Sequence, residues 1–556
     1  MLNGKNILIL LVTALLAPFF VCSAALADMQ GQNVIFSVNK SFDKSGRESM
    51  PATLRYMGEN SYFYVDDEYW NALNSLERRD FLTSISQLSS EFDVNIYPKE
   101  TSFWGQEARP GVDGDSRITI LLEQLKTGNG GYFSSVNGYA KKTVLESNER
   151  EMMVVSAESV NGQLAKVFLA HEFEHLISFN QKETLRNIYE EVWLNELRAE
   201  YSVTLAGYND IFSDSNLKRR ADKFFNSPSD SLTEWPNLSQ DYDLVSLFGE
   251  YISEEYGNGF LKKSLQSELL GIPSIDAALA FMGNSDRFSN IFSNWLIASY
   301  INDDSSEPKF GYARPELGGL QASPQRITIL SSDSHIFDYT LKPWQPYGHK
   351  FYTADLESGR VIKLFPSPTT DFKFVYADNL GRADILTGNF FVTNPGGLKY
   401  FYIFPVNSSK TVGFGSSENE FNARLTLSFD DKLPGVEFGS AFKNGALIKK
   451  TGEKEIYVIE GKYKRYLRPE IIALYGHLDT GKVMEVDVAT FNFYSTANYV
   501  RYVNDKRVYA VWPDGTKHWL NITPQQWDDS GRDWNAIFII NDLELAAYKT
   551  GADITR

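Results

Sequence analysis

The sequence contains very little cysteine and very little histidine. Its 556 residues include one cysteine, Cys22, and 6 histidines. Cys22 lies in an N-terminal stretch that we predict is removed, so the mature chain should have no disulfide, no thiol nucleophile and no cysteine-ligated metal site. Attachment of a lipid to Cys22 is the alternative, but Phe19 and Val21 fit such a signal poorly. Folding stability must therefore come from burial alone.

Positive charge is also scarce. Against 71 Asp and Glu there are 54 Lys and Arg, which gives a net charge of -17. Such a chain repels nucleic acid and anionic membranes, so we expect neither as a partner. After the N-terminal region no apolar run has the length of a transmembrane helix, and we expect no membrane span in the mature protein.

The N-terminus has the features of a secretory signal peptide. Lys5 precedes an apolar stretch from Ile7 to Val21 that is too short to span a membrane comfortably, and Ala25-Leu26-Ala27 is a typical cleavage site. We predict a signal peptide over residues 1–27 and a secreted chain that begins at Asp28. The medium, the cell surface and the periplasm all remain open as destinations.

Length and residue pattern predict several domains. A chain of this length is too long for one core, and its 14% aromatic content favours β structure. Strand-like runs around one helix, followed by helical periodicity from residue 161, predict an α+β domain over 28–305. We predict a linker over 306–325, a β-sandwich over 326–432 and two β-hairpin repeats over 433–556.

Two of the histidines lie in the sequence His-Glu-Phe-Glu-His at residues 171–175. On a helix, this spacing places His171 and His175 on one face, where two ring nitrogens can reach the same ion. Glu172 lies about 100° round the helix and can face a water molecule as a general base without binding the ion. The pattern predicts one catalytic zinc ion. A buried helix with two hydrogen-bonded histidines is the alternative.

A catalytic zinc ion requires a third protein ligand. The next histidine, His335, lies far along the chain, so we expect a carboxylate from the following helix. Five residues are candidates for this ligand: Glu183, Glu190, Glu191, Glu196 and Glu200.

The histidine motif followed by Trp-Leu-Asn-Glu at residues 193–196 resembles the gluzincins, the group that contains thermolysin and the zinc aminopeptidases. This resemblance implies that Glu196 is the third zinc ligand. It also implies that Glu200, four residues later, orients His171 or His175 from behind. One departure is Leu197, because gluzincins often have glycine there.

A closer resemblance, to the hyicolysin-type secreted metallopeptidases, extends from about Ala52 to Asp303. Besides the two zinc elements it includes weaker segments at residues 62–67, 114–122, 131–135 and 147–152. It implies a zincin-like domain made of a mixed sheet and a helical subdomain. In such domains a substrate peptide pairs with a sheet edge, for which we predict the strand Glu151–Val155.

A donor to the developing oxyanion is the last element of the expected site. In the aminopeptidase branch of the gluzincins, a tyrosine at the start of a later helix has this role. Tyr242 opens a predicted helix in a comparable place, although the Lys-Gly that usually follows is missing. Packing of a helix-start tyrosine on its neighbours is the alternative.

The sequence therefore predicts a secreted zinc endopeptidase that acts on proteins or peptides. An aminopeptidase is the near alternative, but no recognisable G-x-M-E-N element is present to bind a free N-terminus. A catalytically inactive surface adhesion protein is the alternative from another class, against which the intact set of His171, Glu172, His175 and Glu196 argues.

Two further features lie outside this set. The C-terminal repeats resemble hairpin modules of exported bacterial surface proteins, which implies attachment to a cell surface or binding of substrate. Asp113-Gly114-Asp115 could hold a calcium ion or form a plain turn.

Overall fold

A computed structural model describes residues 27–555, except 229, 306, 354, 369, 387–389, 431–444, 462, 476–477, 479–482, 487 and 504. The predicted signal peptide, apart from Ala27, lies outside the described residues. The chain forms two compact units: residues up to Asn187 with Leu205–Gly207, and Ile188–Thr204 with Tyr208 onward. In the described part of the chain, no helix has both the length and the apolar character needed to cross a membrane.

A six-stranded mixed sheet is the centre of the first unit. Its strand order is β1-β2-β3-β4-β6-β5, and the central pairs β3–β4 and β4–β6 are parallel. Both central strands β3 and β4 are buried along their whole length, as expected of parallel strands covered on both faces. The strands are β1 (Asn33–Ser37), β2 (Ser49–Met57), β3 (Ser61–Asp66), β4 (Ile118–Glu123), β5 (Gly131–Phe133) and β6 (Met152–Ser156).

Four α-helices accompany this sheet. Helix α2 begins where the Asn74 side chain accepts hydrogen bonds from two backbone N–H groups of the first turn, and the Glu77 carboxylate accepts one from the Asn74 N–H. Helix α4 contacts strands β5 and β6. The helices are α1 (Asp67–Ala72), α2 (Ser75–Glu91), α3 (Tyr97–Trp104) and α4 (Gln163–Ser178), with π-helical turns at Phe92–Ile96 and Phe179–Thr184.

The prediction of Glu151–Val155 as the edge of the sheet is wrong. This strand is β6, and it pairs with β4 on one side and with β5 on the other. The strand at this end of the sheet is β5, which runs antiparallel to β6. At three residues, β5 is too short to show an alternating pattern in the sequence.

The second unit begins with six helices. The helical periodicity of the sequence predicts five of them, over 190–206, 217–225, 242–255, 275–282 and 287–301, whereas α8 was not predicted. Tyr242 lies in the first turn of α7, which begins three residues earlier than predicted, at Ser239. The helices are α5 (Val192–Leu205), α6 (Asn216–Asn226), α7 (Ser239–Tyr256), α8 (Gly259–Leu265), α9 (Gly271–Phe281) and α10 (Phe288–Tyr300).

The segment predicted to be a linker packs against these helices. The buried Tyr312 hydroxyl accepts a hydrogen bond from Trp295 Nε1 at 2.9 Å, and Tyr251 donates to the carbonyl of Lys309 at 2.8 Å. Leu317 is also buried. The domain boundaries on either side stay predictions.

Two sheets follow, with strand orders β13-β10-β15-β8 and β12-β11-β14-β9-β7. All neighbouring strands in them are antiparallel except β7 and β9, which are parallel. Inward side chains of both sheets, such as Leu364 and Leu425 from one and Phe374 and Phe401 from the other, belong to one buried cluster. The strands are β7 (Gln325–Ile329), β8 (His335–Leu341), β9 (His349–Thr353), β10 (Val361–Ser367), β11 (Phe372–Asp378), β12 (Ala383–Leu386), β13 (Phe390–Thr393), β14 (Tyr400–Asn407) and β15 (Phe421–Asp430).

The C-terminal region contains two five-stranded sheets with equivalent strand orders, β19-β16-β17-β18-β20 and β24-β21-β22-β23-β25. Each predicted hairpin is the central pair of one sheet. The short outer strands, which pair in parallel, carry too little pattern to be predicted. The elements of the first sheet are β16 (Leu447–Lys450), β17 (Ile456–Glu460), β18 (Tyr463–Leu467), α11 (Pro469–Ile472), β19 (Met484–Val486), α12 (Val488–Phe493) and β20 (Ser495–Thr496). Those of the second are β21 (Tyr499–Tyr502), β22 (Val508–Val511), β23 (Thr516–Trp519), α13 (Pro524–Asp529), β24 (Ile537–Ile540), α14 (Asp542–Ala547) and β25 (Lys549–Thr550). The molecule is thus a multidomain α+β protein.

Candidate metal centre

Helix α4 is fixed in the first unit by its apolar side chains. Leu169, Phe173 and Ile177 are fully buried. The Phe173 ring packs edge-on against Phe92, with centroids 5.0 Å apart, and stacks on Tyr97 at 5.5 Å. These contacts leave the opposite side of the helix to His171 and His175.

The two histidines lie one helical turn apart. Their ring centroids are 5.0 Å apart and their planes are inclined by 82°. His171, His175 and Glu196 each offer one ligand atom, and these three atoms lie within 4.8 Å of one another. Within the described residues, this is the one group of three or more His, Cys, Asp or Glu side chains spaced to hold a metal ion.

The chemistry of this donor set fits zinc. Two imidazole nitrogens and one carboxylate oxygen are the ligands of a known type of catalytic zinc site, which keeps a fourth position open. Calcium and magnesium prefer sites built from oxygen ligands. The three side chains therefore match the ion that the sequence predicts.

The rival candidates for the third ligand have other partners. The Glu190 carboxylate accepts hydrogen bonds from Arg198 and from the Gly271 N–H, and the Glu191 carboxylate accepts from the N–H groups of the loop at 413–414. Glu183 accepts from the Tyr139 hydroxyl at 3.2 Å. None of the three belongs to the group of closely spaced ligand atoms among the described residues.

Helix α5, which carries Glu196, is anchored by Trp193, Leu194 and Leu197, all of them buried. Leu197 replaces the glycine that gluzincins often have there. Its side chain packs against α7 at Gly249, where an added Cβ would lie 3.4 Å from Leu197 Cγ. That distance is an ordinary van der Waals contact, so Leu197 fits beside α7 without requiring a glycine at residue 249.

Glu172 lies against strand β5. The side chain is 6% exposed. A Cβ added to Gly131 would come within 3.0 Å of Glu172 Cγ, 3.1 Å of Glu172 Oε1 and 2.6 Å of the Val154 carbonyl oxygen. Two residues along β5, the Phe133 ring stacks on the His175 ring, with centroids 6.3 Å apart. This strand therefore runs beside both the expected base and one expected ligand.

Glu200 is the centre of a buried polar network in the second unit. Its carboxylate forms an ion pair with Arg220 at 2.8 Å and accepts hydrogen bonds from Asn216 at 2.9 Å and from Ser246 at 2.7 Å. Arg220 also pairs with Asp243 at 3.2 Å. These contacts fix the orientation of the Glu200 side chain; its predicted action on a histidine stays a prediction.

Tyr242 belongs to the same network. The Arg220 guanidinium lies over the Tyr242 ring, 5.0 Å from its centroid, and the Trp235 ring packs edge-on at 5.1 Å. The Tyr242 hydroxyl donates to Asn237 Oδ1 at 3.0 Å. Its predicted role as an oxyanion donor is therefore also untested by these contacts.

Two buried carboxyl groups, Glu174 on α4 and Glu100 on α3, lie on helices that contact each other. Glu174 is fully buried and accepts a hydrogen bond from Ser178 at 2.6 Å. Burial, together with the charge of Glu174, raises the pKa of Glu100 well above its usual value. The fold therefore favours the protonated form of Glu100 beside Glu174.

The Asp113-Gly114-Asp115 turn has internal partners for its oxygens. Asp113 accepts a hydrogen bond from the Asp115 N–H, and Asp115 accepts from the Tyr62 hydroxyl and from the N–H groups of Ser116 and Arg117. These bonds are those of a turn. The turn contributes to no cluster of metal-binding side chains in the described part of the chain.

No family model matches the chain. Over 237 residues, the chain is 28% identical to the neutral metalloprotease ShpI of Staphylococcus hyicus. The chain is thus a distant relative of a metalloprotease. The match covers 38% of this chain and 49% of ShpI, so the chain spans about half the length of that relative.

Solved structures give only weak likenesses. Periplasmic inhibitors of g-type lysozyme from Aeromonas hydrophila and Salmonella Typhimurium match 19% of this chain and 100% and 99% of theirs, at 8% and 7% identity and a TM-score of 0.15. A conserved protein of unknown function from Bacillus anthracis str. Ames matches 64% of this chain and 72% of its own, at 10% identity and a TM-score of 0.23. TM-scores this low do not define a fold.

Several residues near the expected site were not predicted. Gly131 and Phe133 lie in the segment 131–135 of the family resemblance, but no role was assigned to either, because their importance comes from the distance between β5 and α4. Arg220 and Asp243 also went unnoticed, since charged residues on amphipathic helices are usually exposed. Only tertiary structure reveals that both are buried.

Proposed function

We propose that this protein is a secreted zinc-dependent endopeptidase, with His171, His175 and Glu196 as the zinc ligands. The observation that carries the proposal is the spacing of one ligand atom from each of these side chains, all within 4.8 Å of one another. Relationship to a neutral metalloprotease supports it. The hyicolysin-type and gluzincin assignments belong to the same proposal.

A zinc ion held by His171, His175 and Glu196 would supply polarisation of the scissile carbonyl group and acidification of a water molecule. Glu172 is the general base. Its carboxylate takes a proton from the attacking water and then gives that proton to the nitrogen of the leaving amine. The position of Glu172 next to β5 supports this role, because a base must lie within hydrogen-bond reach of the reacting atoms.

Two further residues have supporting roles in the proposal. Glu200 orients a histidine ligand, and the ion pair with Arg220 fixes the position of its carboxylate. Tyr242 donates its hydroxyl to the oxyanion that develops on the substrate. Arg220 holds both residues, by the ion pair and by its contact with the Tyr242 ring.

We propose that the substrate backbone pairs with β5 as an additional strand. This strand is at the end of the sheet order, and its residue Gly131 lies against Glu172. An extended peptide on this edge would present a carbonyl group beside the base. Such pairing recognises the backbone in the middle of a chain, which favours an endopeptidase over an aminopeptidase.

For the C-terminal sheets we propose a role in attachment to the cell surface or in substrate binding.

We also propose that the chain is exported, to the cell surface, the medium or the periplasm. Nucleic acid stays an unexpected partner because of the net charge of -17.

Metal analysis and a casein assay on the chain from Asp28 onward test this function. We expect about one zinc ion per chain, and cleavage that a chelator abolishes and added zinc restores. His171→Ala should lose both zinc and cleavage, whereas the matched variant His335→Ala, in the β-sandwich, should keep both. Zinc-free but active protein would contradict the proposal.

A further inference from the structure

A loop of the β-sandwich reaches the start of helix α5. This loop comprises residues 408–420, between β14 and β15, and we call it the clamp loop. It lies in the same compact unit as α5. The sequence gives no hint of this contact, because more than 200 residues separate Glu191 from Gly413.

Glu191 joins the clamp loop to the helix. It directly precedes α5, and its carbonyl oxygen accepts the N–H groups of Leu194 at 3.1 Å and Asn195 at 3.0 Å. Its side chain is 7% exposed, and the carboxylate accepts the N–H groups of Gly413 at 2.5 Å and Phe414 at 3.3 Å. One residue thus begins the helix with its backbone and is held by the clamp loop through its side chain.

The Glu191 side chain also packs closely against Gly271. On its other side, a Cβ added to Gly271 would lie 2.8 Å from Glu191 Cγ and 3.6 Å from the carbonyl oxygen of Thr411. The preceding residue, Glu190, accepts hydrogen bonds from the Gly271 N–H at 2.7 Å and from Arg198 at 2.9 Å. Both residues before the helix are therefore anchored.

The clamp loop is itself fixed to the helical part of the unit. The Trp235 N–H donates to the carbonyl of Gly415 at 2.9 Å, and the Glu418 N–H donates to Glu234 at 2.7 Å. Lys410 pairs with Glu418 at 2.7 Å. Because the clamp loop is held at several points, it can hold the Glu191 carboxylate in one position.

We propose that Glu191 is a positioning residue for the metal centre, held in place by the clamp loop of the β-sandwich. Glu196 follows Glu191 by five residues, a little more than one helical turn, so the start of α5 determines where the Glu196 carboxylate lies. The inference rests on the proposed role of Glu196. Through Glu191, the clamp loop of the β-sandwich contributes to zinc binding.

Zinc affinity of the full mature chain, measured by competition with a chromophoric chelator, tests this inference. Glu191→Ala should weaken zinc binding by about tenfold or more, in the range found when groups behind a ligand are removed. Glu191→Gln, which keeps one oxygen as an acceptor, should give a smaller loss and serves if the alanine variant does not fold. Melting temperatures of the zinc-free proteins report any general loss of stability.

Glu254→Ala is the matched control. Glu254 also accepts two consecutive backbone N–H groups, those of Ala313 at 2.9 Å and Arg314 at 3.1 Å, but it lies on α7 and not before α5. We expect a lower melting temperature with zinc affinity within about twofold of the native chain. Unchanged zinc affinity in both Glu191 variants, or an equal loss in Glu254→Ala, would overturn the inference. A native chain that binds no zinc would instead refute the proposed function.

Discussion

Gly131 and Glu172 are in such close contact that one methyl group should disturb the proposed base. In Gly131→Ala the new Cβ would meet Glu172 and the Val154 carbonyl at 2.6 to 3.1 Å, so the strand or the base must move. We expect kcat to fall by about 100-fold, because small displacements of reacting groups have effects of this size. Zinc content should stay unchanged.

Gly259→Ala is the control for this variant. At Gly259 the added Cβ meets only the flexible end of Met282, at 3.6 Å. It should cleave casein as the native chain does. If Gly131→Ala retained native kcat, Glu172 would not be the group that limits turnover.

Glu196 is the residue on which the choice of third ligand depends. Glu196→Gln removes the negative charge and leaves a weak amide ligand, so zinc affinity should fall by about 100-fold or more. Glu183→Gln, at a rival position whose carboxylate accepts a hydrogen bond from Tyr139, should leave zinc affinity unchanged. Zinc affinity is measured by competition with a chelator. Weaker binding in Glu183→Gln, with unchanged binding in Glu196→Gln, would identify Glu183 as the third ligand.

At the scale of single elements, helix α4 depends on Phe173 for its position. The ring is fully buried between Phe92 and Tyr97. Phe173→Ala should lower the free energy of unfolding by about 3–5 kcal/mol, through lost burial and the cavity left behind. Denaturant titration measures this change. Phe281→Ala on α9, with a side chain 75% exposed, should change it by less than about 0.5 kcal/mol.

Elements differ in how far their sequence determines them. The sequence predicts a helix over 163–180 and strands over 117–122 and 361–365, and each lies within two residues of the observed element, because the helix carries a long periodic pattern and the strands are mostly apolar runs. Strand β5 and the outer strands of the C-terminal sheets were missed. With two to four residues each, they are defined by their pairing partners and not by their own sequence.

The candidate site likewise combines features that the local sequence determines and features that depend on tertiary contacts. The histidine spacing and the carboxylate at residue 196 could be predicted, since both are local features of helices. Contacts between distant segments could not. The clamp loop at Glu191 and the approach of Gly131 to Glu172 depend on how sheets and helices pack.

At the scale of the whole molecule, buried acids make stability depend on pH. Burial raises the pKa of Glu123 to about 8, despite the opposing hydrogen bond from Tyr132, and burial raises the pKa of Glu151 to about 7. These groups keep their protons in the folded chain at pH values where the unfolded chain has lost them. The free energy of unfolding should therefore fall between about pH 4.5 and pH 8.

Glu123→Gln isolates one of these groups. The side-chain amide at this fully buried position cannot ionise. The free energy of unfolding of the variant should therefore fall less steeply as the pH rises, and one group accounts for at most about 1.4 kcal/mol per pH unit. Denaturant titrations at pH 5, 6.5 and 8 measure the slope. A slope equal to that of the native chain would show that Glu123 ionises normally in the fold.

The role of Glu172 as the base of a zinc peptidase is tested most directly by comparing Glu172→Gln with the native chain. The variant keeps the shape of the side chain and all three proposed ligands. We predict about one zinc ion per chain in both proteins and a loss of casein cleavage of about 100- to 10,000-fold in the variant. Cleavage within a few fold of the native rate, with zinc still bound, would show that Glu172 is not the base.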